Sequence, residues 1–286
     1  MKLYGLLSMA GLLLAGCLSS PSSLPTGAAE DWDGRNLTYV SADQAVRVPG
    51  CQILCTKENL PINPEKIYRL SGEFLLQEQS GSGKTLQAYL GFVMYTKDGK
   101  RIFADNIRPR PDTDTILTRP CTKEDTSIYI ADGENWSSYA SSVVAFNTLL
   151  DYQDLPNFQT TSAQQITGIE KLSDGEYRVD LNAPCGFDAA KGSGVRQHQA
   201  WDYMYTAGSG DLLPGKWIRL SGVAQGVVQS GMPWNHFGPG IERVGFVILS
   251  NWEEQNDENI MLFRNIQLEE VPEEELTPEE RAALEQ

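Results

Sequence analysis

Short apolar runs rich in β-branched and aromatic residues follow one another through most of this chain of 286 residues, and turn sequences separate them. Runs of this length and composition predict β-strands. The clearest of them begin at Tyr68, Leu86, Lys216, Val244 and Ile260. Many short strands with few helical segments are typical of packed sheets, so the sequence predicts an all-β fold with the architecture of a β-sandwich.

Three turn sequences indicate how neighbouring strands connect. The loop Gln79–Thr85 separates the first two runs, which we expect to pair as a long hairpin. Asp98-Gly99 and Asp174-Gly175 each stand between strand residues, and Asp-Gly in that position is typical of a hairpin turn. The sequence therefore predicts a hairpin at each of these places.

The end of the chain predicts a short helix. Thr277 is suited to cap it, Pro278 to occupy its first position and Glu280 its third, and such residues together form a capping box. The acidic run 269–275 precedes the helix, and neighbouring carboxylates repel one another and stay hydrated. We therefore expect residues 273–286 to form an acidic tail with a short helix.

The N-terminus has the layout of a signal peptide, with Lys2 before the uncharged apolar run Leu3–Ala15. This run is shorter than the roughly 20 apolar residues that a transmembrane helix needs, and no later run approaches that length. The last residues of the segment, Leu-Ala-Gly-Cys ending at Cys17, resemble the bacterial lipobox. An ordinary secretory signal with an incidental cysteine is the alternative.

The lipobox resemblance implies that residues 1–16 are removed and that Cys17 carries acyl chains such as palmitate. The mature protein would then be a lipoprotein of the cell envelope, at the outer membrane if the cell has one, with its domain in the periplasm or outside the cell. Its lipid would be its only contact with the membrane. Residues 17–34 begin with a Ser- and Pro-rich stretch, which predicts a flexible tether.

Charge narrows the classes of partner. The formal net charge is -15, from 38 acidic and 23 basic residues. A protein that binds nucleic acid needs a basic face, so we expect neither nucleic acid nor anionic lipid as a partner. Neutral and cationic ligands remain open.

Once Cys17 is acylated, the other cysteines are Cys51, Cys55, Cys121 and Cys185. An even number in an oxidising compartment predicts disulfides, and three pairings are open. We favour Cys51 with Cys55, which would close a tight loop, and Cys121 with Cys185, which would join the ends of a central segment. The scattered spacing is unlike that of zinc sites.

Four strand sequences, taken in order, resemble the galactose-binding-like jelly rolls, the fold of many carbohydrate-binding modules. They are Tyr68–Phe74, Ala88–Tyr95 with its Asp98-Gly99 turn, Pro214–Gly222 and Met261–Glu269. The resemblance implies a jelly roll over residues 35–272. The stretch 122–207 would then be a β-rich insertion, similar to insertions in sugar-binding-like modules of bacterial and phage surface proteins.

The same resemblance implies roles for individual residues. Trp217 would be the buried tryptophan at the start of the penultimate part of the sheet. Arg264 and Asn265 stand where the family often has paired aspartates next to a structural calcium. Arg264 replaces the first of these aspartates, so the resemblance leaves a structural calcium open, and we expect no other cofactor.

Two aromatic clusters have the character of a sugar site, in which ring faces contact C–H groups and planar polar side chains bond to hydroxyls. Their residues are His198, Trp201, Asp202, Tyr203 and Tyr205 in the first cluster and Trp234, Asn235 and His236 in the second. Trp252, just after a strand, is a further candidate. Loops carry ligand sites more often than cores do, which favours the second cluster, although the aromatic residues also suit a core.

Nothing in the sequence has the pattern of a metal hydrolase or a serine hydrolase, and the chain has 2 histidines. A glycosidase or lyase needs only two suitably spaced carboxylates, or a tyrosine with basic helpers, and a sequence does not reveal that spacing. The leading hypothesis is a membrane-anchored lipoprotein that binds carbohydrate without catalysis. A jelly-roll polysaccharide lyase or glycoside hydrolase and an envelope assembly lipoprotein are the alternatives.

The lipobox gives a direct prediction. Mass spectrometry of protein extracted from membranes should identify Cys17 as the acylated N-terminal residue. A Cys17→Ala variant should lose the lipid and appear in the soluble fraction, since the mature chain has no other predicted anchor. Firm membrane attachment of that variant would contradict lipidation at Cys17.

Overall fold

Antiparallel strands make up most of the fold, which is 44% strand and 7% helix. The computed structural model describes residues 24, 26–81, 83–139, 141–161, 166–173, 175–200, 203–228 and 235–285. In chain order the strands are β1 (Trp32–Asp33), β2 (Thr38–Val40), β3 (Ala45–Pro49), β4 (Gln52–Thr56), β5 (Leu60–Pro61), β6 (Tyr68–Glu78), β7 (Gln87–Tyr95), β8 (Arg101–Ile102), β9 (Thr115–Ile116), β10 (Ser127–Ile130), β11 (Ser142–Phe146), β12 (Ile166–Lys171), β13 (Tyr177–Leu181), β14 (Gly194–Gln199), β15 (Ser209–Asp211), β16 (Ile218–Ala224), β17 (Arg243–Trp252) and β18 (Ile260–Glu270). The α-helices of these residues are α1 (Ala104–Ile107) and α2 (Pro278–Leu284).

Two large sheets face each other across the main core. The seven-stranded sheet has the order β1-β4-β17-β7-β15, with β5 paired to β17 and β8 paired to β7. The five-stranded sheet has the order β16-β6-β18-β3-β2. Every second residue of β6 and β7 enters the core, as Leu70 and Phe74 do from β6 and Leu90 and Phe92 from β7. A strand with one buried face requires this alternation, and the prediction of a mostly β fold is confirmed.

The expected hairpin between β6 and β7 is wrong, because the two strands belong to different sheets. The main partner of β6 is β18, with Phe74 opposite Phe263, and the main partner of β7 is β17, with Phe92 opposite Phe246. Alternating apolar residues predict each strand equally well whether the two strands pair side by side or face each other across a core. The loop between them therefore crosses from one sheet to the other.

The two Asp-Gly turns are confirmed as hairpin turns. β7 pairs with β8 across the first, where Gly99 has a φ of 80°. β12 pairs with β13 across the second, where Gly175 has a φ of 90°. A positive φ at the second turn residue is what glycine supplies without a steric penalty.

The middle of the chain builds a second, smaller core. Two three-stranded sheets, β10-β13-β12 and β11-β14-β9, surround it. Its residues lie between Leu117 and Val195 and include Phe146 and Val179. Met204 already belongs to the main core. The segment that was expected as a β-rich insertion therefore contains sheets and a core of its own.

The C-terminal segment packs against the domain and is not a free tail. The helix itself is confirmed, with its capping box: Glu280 N–H donates to the Thr277 hydroxyl at 3.2 Å, and Thr277 N–H donates to the Glu280 carboxylate at 3.0 Å. Arg69 on β6 donates to both carboxylate oxygens of Glu280, at 2.7 and 2.8 Å. Leu276 and Val271 are buried in a small apolar cluster beneath the helix. Apolar residues interspersed in the acidic run therefore hold it to the sheet.

Trp217 does not occupy the main core. It is half-buried on the outer face of the five-stranded sheet, packed against a small cluster that contains Leu75 and Leu262. The guanidinium of Arg264 lies 4.0 Å from the Trp217 ring centroid and 2.7 Å from the Glu73 carboxylate. The position that the resemblance assigns to a calcium ligand thus holds a cation in an ion pair with Glu73 of the neighbouring strand.

The distances between the cysteines determine which disulfides can form. Cys51 immediately precedes β4 and Cys55 lies within it, so about 13 Å of extended chain separates their Cα atoms. A disulfide needs Cα atoms within about 7 Å, so the favoured pairing of Cys51 with Cys55 is wrong. Cys121 and Cys185 are both buried, and their Sγ atoms lie 3.1 Å apart as free thiols. Their pairing stays a prediction.

We expect oxidised protein to contain one disulfide, between Cys121 and Cys185, and two free thiols. In the chain-entropy model, closing a loop of this length stabilises the fold by about 4 kcal/mol. Thiol titration of unfolded, non-reduced protein counts the free thiols, and peptide mapping then identifies the linked cysteines. Four titratable thiols, or a peptide that links Cys51 to Cys55, would contradict this pairing.

Glu280 gives a stability prediction, because its carboxylate both caps α2 and binds Arg69. Glu280→Ala should lower the free energy of unfolding by about 1–2 kcal/mol at pH 7, while Glu279→Ala at the exposed neighbouring position should have little effect. Arg69 holds the pKa of Glu280 below its ordinary value of 4.5. The stabilisation is therefore complete above pH 4.5 and is lost as the pH falls through the lower pKa of the folded state. Chemical unfolding of both variants at pH 7 and at decreasing acid pH tests this.

Candidate functional site

The outer face of the seven-stranded sheet, turned away from the main core, forms one continuous surface. On β7 the side chains that alternate with core residues project onto this face, including Gln87, Tyr89 and Tyr95. Residues of β17 and β4 lie beside them, since directly opposite residues point to the same side of a sheet. Leu249 of β17 and Ile53 of β4 lie directly across the sheet from Tyr89, and Val247 and Cys55 lie across from Gly91 in the same way.

Three tyrosines form a row on this face. Tyr203 and Tyr205 flank Met204, which is buried in the main core and accepts a backbone hydrogen bond of 2.8 Å from β7. The chain crosses onto the face at Gly91, where a Cβ would lie 2.5 Å from the Cα of Tyr205. The ring centroid of Tyr205 lies 5.2 Å from that of Tyr89 and 6.0 Å from that of Tyr203. The three rings therefore form one aromatic surface.

Trp252 lies at one end of this row. The register of β17 and β7 places it opposite Gln87, and 41% of its surface is exposed. The Tyr89 hydroxyl donates to the Gln87 side-chain carbonyl at 3.0 Å, and the Gln87 amide donates to Asp211 at 3.0 Å. A fixed amide therefore stands between the exposed indole ring and the first tyrosine.

Arg101 lies at the other end of the row. Its guanidinium carbon is 5.2 Å from the ring centroid of Tyr203 and 4.6 Å from that of Phe103, and its Nη2 donates to Cys55 Sγ at 3.2 Å. Burial raises the pKa of Tyr203, Tyr95 and Cys55, and the positive charge of Arg101 partly offsets this effect. These groups are therefore neutral at pH 7, and the two tyrosine hydroxyls can serve as hydrogen-bond donors and acceptors.

We call this surface the aromatic face. Its residues are Gln87, Tyr89, Arg101, Tyr203, Tyr205 and Trp252. A shallow pocket of about 290 Å³ opens in it, bordered by Tyr89, Tyr205 and Thr206. The buried hydroxyl of Thr206 has no hydrogen-bond partner among the described residues. The surface thus combines adjacent rings with a cation and an amide.

The residues predicted for ligand binding fall into three groups. Tyr203 and Trp252 lie on the aromatic face. Trp201, Asp202 and Trp234 lie outside the described residues, so their predicted role is not tested.

Asn235 and His236 form the third group and lie elsewhere on the surface. Asn235 is buried, and its side-chain oxygen is 3.1 Å from Nδ1 of the half-buried His236. Asn235 borders a pocket of about 330 Å³ between β16 and α2, which shares Thr206 with the pocket of the aromatic face. Asn235 of one predicted cluster and Tyr205 of the other therefore border two pockets that share Thr206.

His198, from the first predicted cluster, is a core residue. Its Nδ1 donates to the Asp105 carbonyl at 2.7 Å, and its Nε2 accepts from Nε of Arg196 at 2.9 Å. Burial, helped by the charge of Arg196, lowers the pKa of His198 to about 4. The imidazole is therefore neutral and enclosed at physiological pH, on the face of β14 that is turned away from the second core and towards α1.

Tyr89, Gln87 and Arg101 are the site residues that the sequence analysis missed. A signal for Tyr89 exists, because it alternates with the apolar residues of β7 and so had to face away from the core. No comparable signal exists for Arg101, whose neighbours Cys55 and Tyr203 are distant in the sequence. Only the packing of three separate segments brings these groups together.

Two further properties were sought over the described part of the chain. It contains no group of three or more His, Cys, Asp or Glu side chains that is placed to hold a metal ion. Its helices are all too short or too polar to cross a membrane.

The sequence matches no protein-family model and has no significant similarity to a curated protein.

Proposed function

We propose that the protein binds carbohydrate without catalysis and that the aromatic face is its binding surface. The row formed by Tyr89, Tyr205 and Tyr203 is the observation that carries the proposal. Sugars have apolar C–H faces rimmed by hydroxyl groups, and exposed aromatic rings are suited to pack against those faces. The three tyrosines are each half-buried, and adjacent rings with polar side chains at both ends are a more specific combination than a single ring on a protein surface.

The polar groups of the face suit the hydroxyl rim of a sugar. The amide of Gln87 is held in place by Tyr89 and Asp211, so its orientation is fixed before a ligand arrives. Arg101 is held over the ring of Tyr203 and keeps donors that no carboxylate of the described residues occupies. Groups held in this way lose little side-chain entropy on binding.

The shape of the face favours a chain of sugars over a single sugar. The residues extend from Trp252 across three tyrosines to Arg101, and the pocket within them is shallow. A shallow and hydrated surface gains little free energy for each sugar, because ordering a flexible glycan costs entropy. Affinity would therefore come from several adjacent contacts.

The remaining features of the proposal concern architecture and location. The two packed sheets support a galactose-binding-like jelly roll, in which β6, β16 and β18 belong to one sheet and β7 to the other. We propose that acylated Cys17 anchors this domain to the membrane of the cell envelope, so that the aromatic face meets envelope or extracellular glycans. Nucleic acid does not enter the proposal, since the chain is strongly acidic.

The test compares variants of the aromatic face by isothermal titration with a panel of soluble polysaccharides and oligosaccharides. Tyr205→Ala and Trp252→Ala should each weaken binding roughly tenfold, equivalent to about 1.4 kcal/mol. Tyr205→Phe should bind like the parent, because it retains the ring. Tyr39→Ala is the matched control, since Tyr39 is an exposed tyrosine on the edge of the five-stranded sheet.

The melting temperature of each variant shows whether a loss of binding reflects a loss of structure. Unchanged glycan binding by Tyr205→Ala and Trp252→Ala would contradict the proposal. Release of new reducing ends from a bound polysaccharide would instead identify an enzyme and refute the absence of catalysis.

A further inference from the structure

A second pocket, of about 320 Å³, lies away from the aromatic face, at the five-stranded sheet. Its lining includes Arg35, Arg47, Pro49, Gln52, Asp257 and Ile260. On β3, Val46 and Val48 enter the main core, so Arg47 and Pro49 project from the opposite face, and Ile260 pairs with Pro49. The pocket therefore has an apolar wall and two guanidinium groups.

The guanidinium groups of Arg35 and Arg47 form no ion pair and no hydrogen bond with any described residue. By contrast, carboxylates bind the guanidinium groups of six other arginines, Arg69, Arg119, Arg178, Arg196, Arg264 and Arg281. The chain has 38 acidic residues and 23 basic residues, so carboxylates are not scarce. Two unpaired guanidinium groups that border one pocket are therefore a distinctive feature of this molecule.

Hydrogen bonds hold the wall of the pocket in place. The Gln52 side-chain carbonyl accepts from Arg35 N–H at 2.8 Å, and its amide donates to the carbonyls of Arg35 and Pro49 at 3.2 and 2.7 Å. One side chain therefore fixes the loop that carries Arg35 to the end of the strand that carries Arg47. The backbone positions from which the two cationic side chains extend are therefore set before any ligand binds.

Asp257 supplies the one negative charge among the lining residues. Its carboxylate lies close to the turn at Gly50, where a Cβ would be 2.5 Å from Oδ1 of Asp257. Gly50 has a φ of 68°, so both its conformation and the approach of Asp257 require glycine. The lining thus carries two positive charges and one negative charge, which leaves a local positive excess.

We propose that this pocket binds an oxyanion carried by an organic molecule, such as the carboxylate or sulfate of an acidic sugar. Guanidinium groups donate paired hydrogen bonds that match the geometry of carboxylate, sulfate and phosphate. Pro49 and Ile260 contact the apolar part of the ligand, and Asp257 accepts a hydrogen bond from one of its hydroxyls. This site lies on the other sheet and does not depend on the aromatic face.

The test titrates the mature chain at constant ionic strength with glucuronate, glucose, inorganic sulfate and inorganic phosphate. Glucuronate should bind and glucose should not, because only glucuronate carries the oxyanion. Arg35→Gln and Arg47→Gln should each weaken glucuronate binding about tenfold or more. Asp257→Asn removes a like charge, so it should strengthen the binding of inorganic sulfate severalfold.

The controls separate this site from general electrostatics and from the aromatic face. Lys97→Gln removes an exposed cation at the turn between β7 and β8 and should bind glucuronate like the parent. Tyr205→Ala should also bind like the parent. Inorganic anions that bind as tightly as glucuronate would show that the oxyanion alone is recognised, while weaker binding of them would show that the apolar wall contributes.

Two results would overturn the inference. One is an Arg47→Gln variant with the parent's melting temperature and the parent's affinity for glucuronate. The other is the absence of binding by glucuronate, sulfate and phosphate alike.

Discussion

The fold depends on the pairing of its last two long strands with strands from the first third of the chain. β17 lies between β4 and β7, and β18 lies between β6 and β3, so the C-terminal strands occupy the middle of both large sheets. Opposite residues such as Phe246 and Phe92, or Phe263 and Phe74, bury their rings in the common core. Loop closure over so long a separation costs entropy before burial repays it, so neither sheet is complete until the chain beyond residue 243 is in place.

The chain between β7 and β17 connects strands of the large sheets. This position explains how the middle of the chain takes part in the aromatic face. Val195 of β14 enters the second core, and on the opposite face of the same sheet fully buried Arg196 binds Asp154 at 2.8 Å and so has a paired charge. Where the chain leaves this core, Met204 enters the main core and fixes the residues on either side of it. Tyr203 and Tyr205 therefore reach the outer face of the sheet because of an apolar anchor between them.

Local patterns in the sequence were sufficient to predict the strands, the two Asp-Gly turns and the capping box of α2, because each depends on residues close together in the chain. They failed for the partner of β6, since period-two alternation does not say which sheet a strand joins. They failed for the pairing of Cys51, because extended chain keeps its Cα atom too far from that of Cys55. The candidate site divides in the same way. Tyr203 was predicted from an aromatic cluster and Trp252 from its place after a strand, whereas Arg101 became part of the site only through contacts between distant segments.

The acidic composition shows why a whole-chain property and a local site can point to different ligands. A net charge of -15 disfavours long polyanions, since they meet the field of the entire surface. A single carboxylate or sulfate group in a pocket instead interacts chiefly with charges within about one Debye length, which is roughly 10 Å at moderate ionic strength. In the pocket at β3, Arg35 and Arg47 outnumber Asp257, so the charge of the lining is positive. The proposed binding of a small anion is therefore compatible with a net charge of -15.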